Sequence, residues 1–228
     1  LRYCMAAGID PRSATAPITM SDAVDKFLGA KAEAFSNPDD DKKARAARNA
    51  YAEDHLVLYA TGTKSRPSLS LYDAGEGQLA KDFPATFCSL IYGDANGSYK
   101  GAIQFVPGRF NMGRTGVLPF CSERHKLQLI VSRVPKDVAG SDTHAWGFTL
   151  LCFFPSAQNP SWHYLLGEDG EVMTAGTAPM GLLPRSGAKS EEITPPRERK
   201  VSSGTLIKMY DFKAPLSNIC GELYRKIE

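Results

Sequence analysis

Apolar residues recur at helical spacing over residues 20–35, where Ala23, Phe27, Ala30 and Ala34 share one face and Ser21 stands where an N-cap belongs. This spacing predicts a short amphipathic helix. Asn37-Pro38 opens a charged stretch, DDDKKARAARNAYAED, with acidic residues leading and basic ones following, the order that suits a helix macrodipole. It predicts a solvated helix. The period then changes to that of strands: residues 55–60 (HLVLYA) and 68–72 (SLSLY), separated by Gly62 and Pro67, predict neighbouring strands of one sheet. A helical candidate covers residues 80–90, and strands are predicted at 126–132 (KLQLIVS) and 145–154 (AWGFTLLCFF). Residues 162–166 and 171–175 flank the turn dipeptide Asp169-Gly170 and predict a hairpin. The polar stretch 186–203, with Pro195-Pro196 inside it, predicts a loop. Residues 204–212 (GTLIKMYDF) predict a last strand, and 216–227 a closing helix with Leu216, Ile219, Leu223 and Ile227 on one face. Several antiparallel strands with few helices predict an α+β fold: a two-layer sandwich of a mixed, mostly antiparallel sheet with helices on one face.

Composition narrows this picture modestly. A chain of 228 residues, 43% hydrophobic and 23% charged, has the size of one large domain or a domain with an extension. The pattern divides it into an N-terminal helical segment, 1–54, and a main domain, 55–228. The formal charge of +2, from 27 basic and 25 acidic residues, provides no global field for nucleic acid or an anionic membrane. Five scattered cysteines without a CxxC pair argue against a disulfide framework or a zinc knuckle, and point to a reducing cytoplasm. No apolar run approaches the roughly 18 residues of a membrane span. The chain begins with Leu1, so further sequence is expected upstream.

Two segments carry candidate chemistry. Asp73-Ala74-Gly75-Glu76-Gly77 lies where a predicted strand ends. A carboxylate there can accept a hydrogen bond from an exocyclic amine, and adjacent glycines let a flat ring approach the backbone, a combination that suits adenine. The second segment, 108–116 (GRFNMGRTG), holds Gly108, Gly113 and Gly116, which would let successive N–H groups face phosphate oxygens beside a following helix. Alone, DxGxG is more often an ordinary turn, and a Gly-rich loop carries no assignment without its setting.

Together they resemble the ATP-binding domains of the superfamily named for gyrase, the heat-shock chaperone, histidine kinases and MutL, the GHKL or Bergerat-fold ATPases. Asp73, Gly75 and Gly77 match its DxGxG box. Residues 108–116 match its glycine-rich lid, with Gly108, Asn111, Met112, Gly113, Thr115 and Gly116 as candidate nucleotide contacts. Ser203-Gly204-Thr205-Leu206-Ile207 resembles the Gly-Thr pair opening a late strand, whose threonine helps hold the adenine-binding aspartate. The run GRFNMGRTGVLPFCSERHKLQLIVSR followed by WGFTLL is similar to a sparsely described bacterial family of this type. The resemblance covers about Leu56 to the C-terminus. It implies a Bergerat sandwich, ATP and Mg2+ as ligands, ATP hydrolysis, a cytoplasmic location, and lid closure as a switch toward a homodimer or a neighbouring output domain.

One motif has no clear counterpart: the helix whose glutamate activates water and whose asparagine holds magnesium. Asn49 and Glu53 occur in the reverse order on an alanine-rich face, so that motif is expected upstream of Leu1 or not at all, and no catalytic residue is assigned. A degenerate, non-catalytic module acting as a protein-interaction domain is the alternative. Arg109 and Arg114 are candidates for phosphate contact, against the reading of solvated loop arginines. Cys121 reads as a small core residue, and Trp146 and Trp162 as sheet residues. His55, His125, His144 and His163 show no ligand spacing, so no metal site built by the chain alone is expected. The absence of GxxxxGK[ST] argues against a P-loop NTPase.

Overall fold

The structure, a computed structural model, describes residues 2–28, 46, 51, 54–63, 65–88, 117–122, 126–156, 158–182 and 199–213. These form an α+β domain. Nine strands are present among them: β1 (Leu56–Thr63), β2 (Arg66–Asp73), β3 (Gln128–Arg133), β4 (Trp146–Phe154), β5 (Ser161–Tyr164), β6 (Met173–Ala175), β7 (Met180–Gly181), β8 (Lys200–Val201) and β9 (Gly204–Met209). Among the helices are α1 (Arg2–Ala6), α2 (Met20–Leu28) and α3 (Lys136–Ala139). The main sheet runs β1-β2-β9-β3-β4-β5, with β6 also on β4, and its pairings are antiparallel. The strand latest in sequence, β9, sits between β2 and β3.

Alternation along the strands divides the side chains between two cores. On one face Ile130 and Leu151 pack with Phe83, Leu118 and Val172, so the chain around a 3₁₀ turn at Ala80–Asp82 and another at Leu118–Phe120 covers this side. On the other, Val57, Tyr72, Val131, Trp146 and Leu206 meet Leu182 and Val201, carried by the β7–β8 ribbon. Among the described residues the sheet thus packs apolar side chains on both faces, with Phe83, Leu118 and Ile130 fully buried.

Several local expectations change. Thr19, not Ser21, caps α2: its hydroxyl accepts from the Asp22 amide at 3.1 Å while the Asp22 carboxylate accepts from the Thr19 amide at 3.0 Å, a reciprocal capping box. Gly62 and Pro67 face each other inside the β1–β2 ladder, and the reversal falls between Thr63 and Arg66. The Asp169-Gly170 turn forms, with the Gly167 amide donating to Glu171 O at 2.8 Å, yet its flanking strands do not pair with each other. Both pair with β4, whose nine residues accommodate β6 along Trp146–Phe148 and β5 along Leu151–Phe154. The predicted loop 186–203 ends in β8. The helical candidate at 80–90 is a 3₁₀ turn and further turns over its described part, and the closing helix at 216–227 lies outside the described residues. No described helix is long and apolar enough to cross a membrane.

Gln128 is fully enclosed beside Met209 and Leu151, and neither its amide oxygen nor its nitrogen has a hydrogen-bond partner among the described residues. Burying such a group costs about 1–3 kcal/mol. Gln128→Met, which keeps the volume and removes the amide, is therefore expected to raise stability by about 1 kcal/mol or more in urea unfolding; a loss of stability would mean that the amide is satisfied.

Candidate functional site

Register aligns Leu56, Asp73, Thr205, Ser132 and Gly147 as direct neighbours on β1, β2, β9, β3 and β4. Directly opposed residues share a sheet face and neighbouring strands are about 4.8 Å apart, so these five form one polar-to-small line across the sheet. The chain leaving β2 then crosses this line. The Gly75 amide donates to Asp73 Oδ1 at 3.0 Å, an Asx turn that fixes the carboxylate. Further along, the Gln78 amide donates to Ser132 Oγ at 2.9 Å, and Ser132 Oγ lies 2.9 Å from Thr205 Oγ1. Ala80 and Phe83 finally settle on Gly147, where a Cβ would come within 2.9 Å of Ala80.

Two glycines make the close approaches around this line sterically allowed. Gly77 has φ of +59°, and a Cβ there would collide with the carbonyl of Arg133 and lie 3.0 Å from the Val134 nitrogen. Gly204 has φ of +104°, and its Cβ would collide with the carbonyl of Asp73. Strand β9 can thus enter the sheet directly against the end of β2. On the β1 side of Asp73 the line ends at an exposed residue. Leu56 is 56% and Leu58 41% exposed, and both share the face of Asp73. An acceptor carboxylate beside uncovered aliphatic surface is a surface suited to a flat ring bearing an amine.

The opposite face supports the same strand ends. Tyr72 donates to Ser203 O at 2.8 Å, and burial, reinforced by the Asp73 carboxylate and opposed by Arg2 and Arg199, pushes its phenol up to about 12. Arg133 donates through its guanidinium to the segments before β4 and before β9. Arg2 reaches from α1 to Ala74 O at 2.6 Å and pairs with Asp137 of α3 at 3.2 Å. His55 stacks on Tyr51 at 4.0 Å, and its carbonyl accepts from the Ala74 amide at 2.8 Å.

Of the residues singled out in the sequence, Asp73, Gly75, Gly77 and Thr205 come together here. Gly108, Asn111, Met112, Gly113, Thr115 and Gly116 lie outside the described residues, as do Asn49, Glu53, Arg109, Arg114 and His125. Ser132, Arg133, Leu56 and Leu58 join the site without a motif to announce them; a Ser-Arg pair closing the apolar run KLQLIV was the available signal for the first two. Cys121 is buried, bridges to Phe212 and has its thiol pushed up to about 11, mainly by burial, the environment of an inert core cysteine. Trp146 is a core residue, whereas Trp162 is partly exposed on edge strand β5. Among the described residues no three His, Cys, Asp or Glu side chains are grouped as a metal site. Neither a protein-family model nor a curated protein matches the chain.

Two outcomes follow from this packing. Gly77→Ala and Gly204→Ala should each destabilise by about 1–3 kcal/mol or more, because a Cβ meets backbone at a positive φ. Gly170→Ala, with φ of +79° but open space around it, should cost about 1 kcal/mol; equal losses at all three in denaturant titrations would contradict the close approach. The raised phenol of Tyr72 contributes stability that is complete below about pH 10 and lost as pH rises through about 12. Comparing Tyr72→Phe with the parent over that window should show the parent losing stability more steeply.

Proposed function

We propose that this chain is an adenine-nucleotide-binding domain of the Bergerat type, in which Asp73 accepts a hydrogen bond from the exocyclic amine of adenine. The observation that carries the reading is the cross-strand pairing of Asp73 with Thr205 under the Gly75–Gly77 crossing. Sequence features as far apart as residues 73 and 205 become neighbours in one line. The antiparallel sheet and its central β9 are compatible with a Bergerat layout. Leu56 and Leu58 offer aliphatic contact to the purine, and Gly75 leaves room over the carboxylate, since a Cβ there would stand 2.5 Å from Asp73 Oδ1. The segment 108–116 would close over the phosphates as a lid, coupling occupancy to a second copy or an output domain.

Magnesium binding and hydrolysis call for a glutamate and an asparagine to which no positions of this chain are assigned, so no hydrolytic step is attributed to it. Nucleotide binding is the activity proposed, and ATP hydrolysis would follow only in a protein that supplies those groups. The alternative, an interaction module with an empty pocket, differs in one measurable respect: it binds no nucleotide.

Calorimetric titration of the full chain with a non-hydrolysable ATP analogue and magnesium tests the reading. Asp73→Asn should weaken binding about 10- to 100-fold, because a hydrogen bond to a charged group contributes about 1.5–3 kcal/mol. GTP should bind far less well, since guanine sets a carbonyl oxygen against the carboxylate and polar sites reject such mismatches by up to about 10⁴. Leu58→Ala should cost several-fold by loss of apolar contact, at about 25 cal/mol per Å². Equal affinity for ATP and GTP, or an Asp73→Asn variant that binds like the parent, would remove Asp73 from the assignment.

A further inference from the structure

We infer that Arg133 is the positioning residue of this site, acting from behind the sheet to set both glycine turns between which Asp73 is held. The inference rests on the nucleotide reading. Arg133 closes β3, directly after Ser132, and is paired in register with Gly204. Its residue surface is 2% exposed. The guanidinium is held by four contacts: Nε donates to His144 O at 2.6 Å, Nη1 to Ser202 O at 2.7 Å, and Nη2 to Asp142 O at 2.9 Å and to Asp142 Oδ1 at 2.7 Å.

Three of these acceptors are main-chain carbonyls. The one carboxylate belongs to a side chain that is 66% exposed, so solvent screens the charge pair and the carbonyl fork determines the geometry. Ser202 O lies just before Gly204 in the chain, which means that the fork fixes the direction from which β9 enters against Asp73. The main chain of the same residue acts on the other turn. Its carbonyl is the surface against which Gly77 lies, directly before the Gln78 amide that caps Ser132. A shift of β3 at Arg133 therefore moves Gly77 on one side and the entry of β9 at Gly204 on the other. Lysine carries the same charge but concentrates its donors at one point and cannot span carbonyls from two segments as a planar fork does.

The test uses the full chain and Arg133→Lys, with Asp142→Asn as the control that weakens the ion pair while leaving the three carbonyl contacts. Amide resonances of Gly77, Gln78 and Thr205 are followed by NMR without ligand, and affinity for the ATP analogue is measured well below the melting temperature. In a folded Arg133→Lys protein those three resonances should move and affinity should fall at least about tenfold, equivalent to about 1.4 kcal/mol. Asp142→Asn should stay within about threefold of the parent, as expected for a screened pair. Should the lysine variant fail to fold, Arg133→Gln, which places no charge in the buried position, is read in the same way. Parent-like resonances and affinity in either folded variant overturn the role of Arg133 while leaving parental binding intact. A parent that binds no nucleotide overturns the nucleotide reading and this role together, and so is distinguishable from failure of Arg133 alone.

Discussion

The two ladders of β9 hold the architecture together. On one side β9 pairs with β2 over Leu69–Asp73, on the other with β3 over Gln128–Arg133. Without it, among the described residues, the β1–β2 hairpin would share no ladder with the β3–β4 half. Because side chains alternate with a period of two, a slip of one residue in either ladder would turn Thr205 away from the face of Asp73 and Ser132. Register is held by side chains on both faces. Leu206 belongs to the core under the ribbon, while Thr205 is tied to Ser132 on the other side.

That dependence explains why the site is built from groups with little side-chain reach. Asp73, Thr205 and Ser132 are short, and their separation is set by strand spacing rather than by rotamer choice. The crossing segment is fixed through main-chain amides, at Gly75 and Gln78, to oxygens already anchored in the sheet. Such a site is preorganised to the extent that its backbone is, and the buried guanidinium behind it serves the backbone. Leu56 and Leu58 are its exposed aliphatic part.

Much of this was legible in the sequence, and the legible parts have a common cause. Strands β1, β2, β3, β4 and β9 are runs of β-branched, aromatic and leucine residues, so local preference and tertiary role agree. Asp73 and Gly77 are legible because a strand-end carboxylate and a positive-φ turn leave a mark on residue type, whereas Gly75 and Thr205 are singled out by their place in motifs that resemble a known family. Where sequence and structure part, elements compete. The segments around Asp169-Gly170 look like a self-contained hairpin, and only the length of β4 reveals a better partner for both. Thr19 and Ser21 are equally plausible caps by composition, and Asp22, placed to return the hydrogen bond to Thr19, decides between them. Ser132 and Arg133 close a run visible in the sequence, but their part in the site comes from a strand that begins far along the chain, at Gly204, and not from their neighbours.

The position of β9 also bears on how the chain reaches its native state. Strands β2 and β3 are complete by Arg133, but the strand that joins them begins at Gly204. During synthesis both would present unpaired edges for the time needed to make the intervening chain, and edges of this kind are templates for pairing with another molecule. Closing so long a loop before any ladder forms is entropically unfavourable, which places this topology among the slower folders. The arrangement that brings Asp73 beside Thr205 thus makes completion of the sheet a late event, and concentrates the hazard of misassembly in the interval before it.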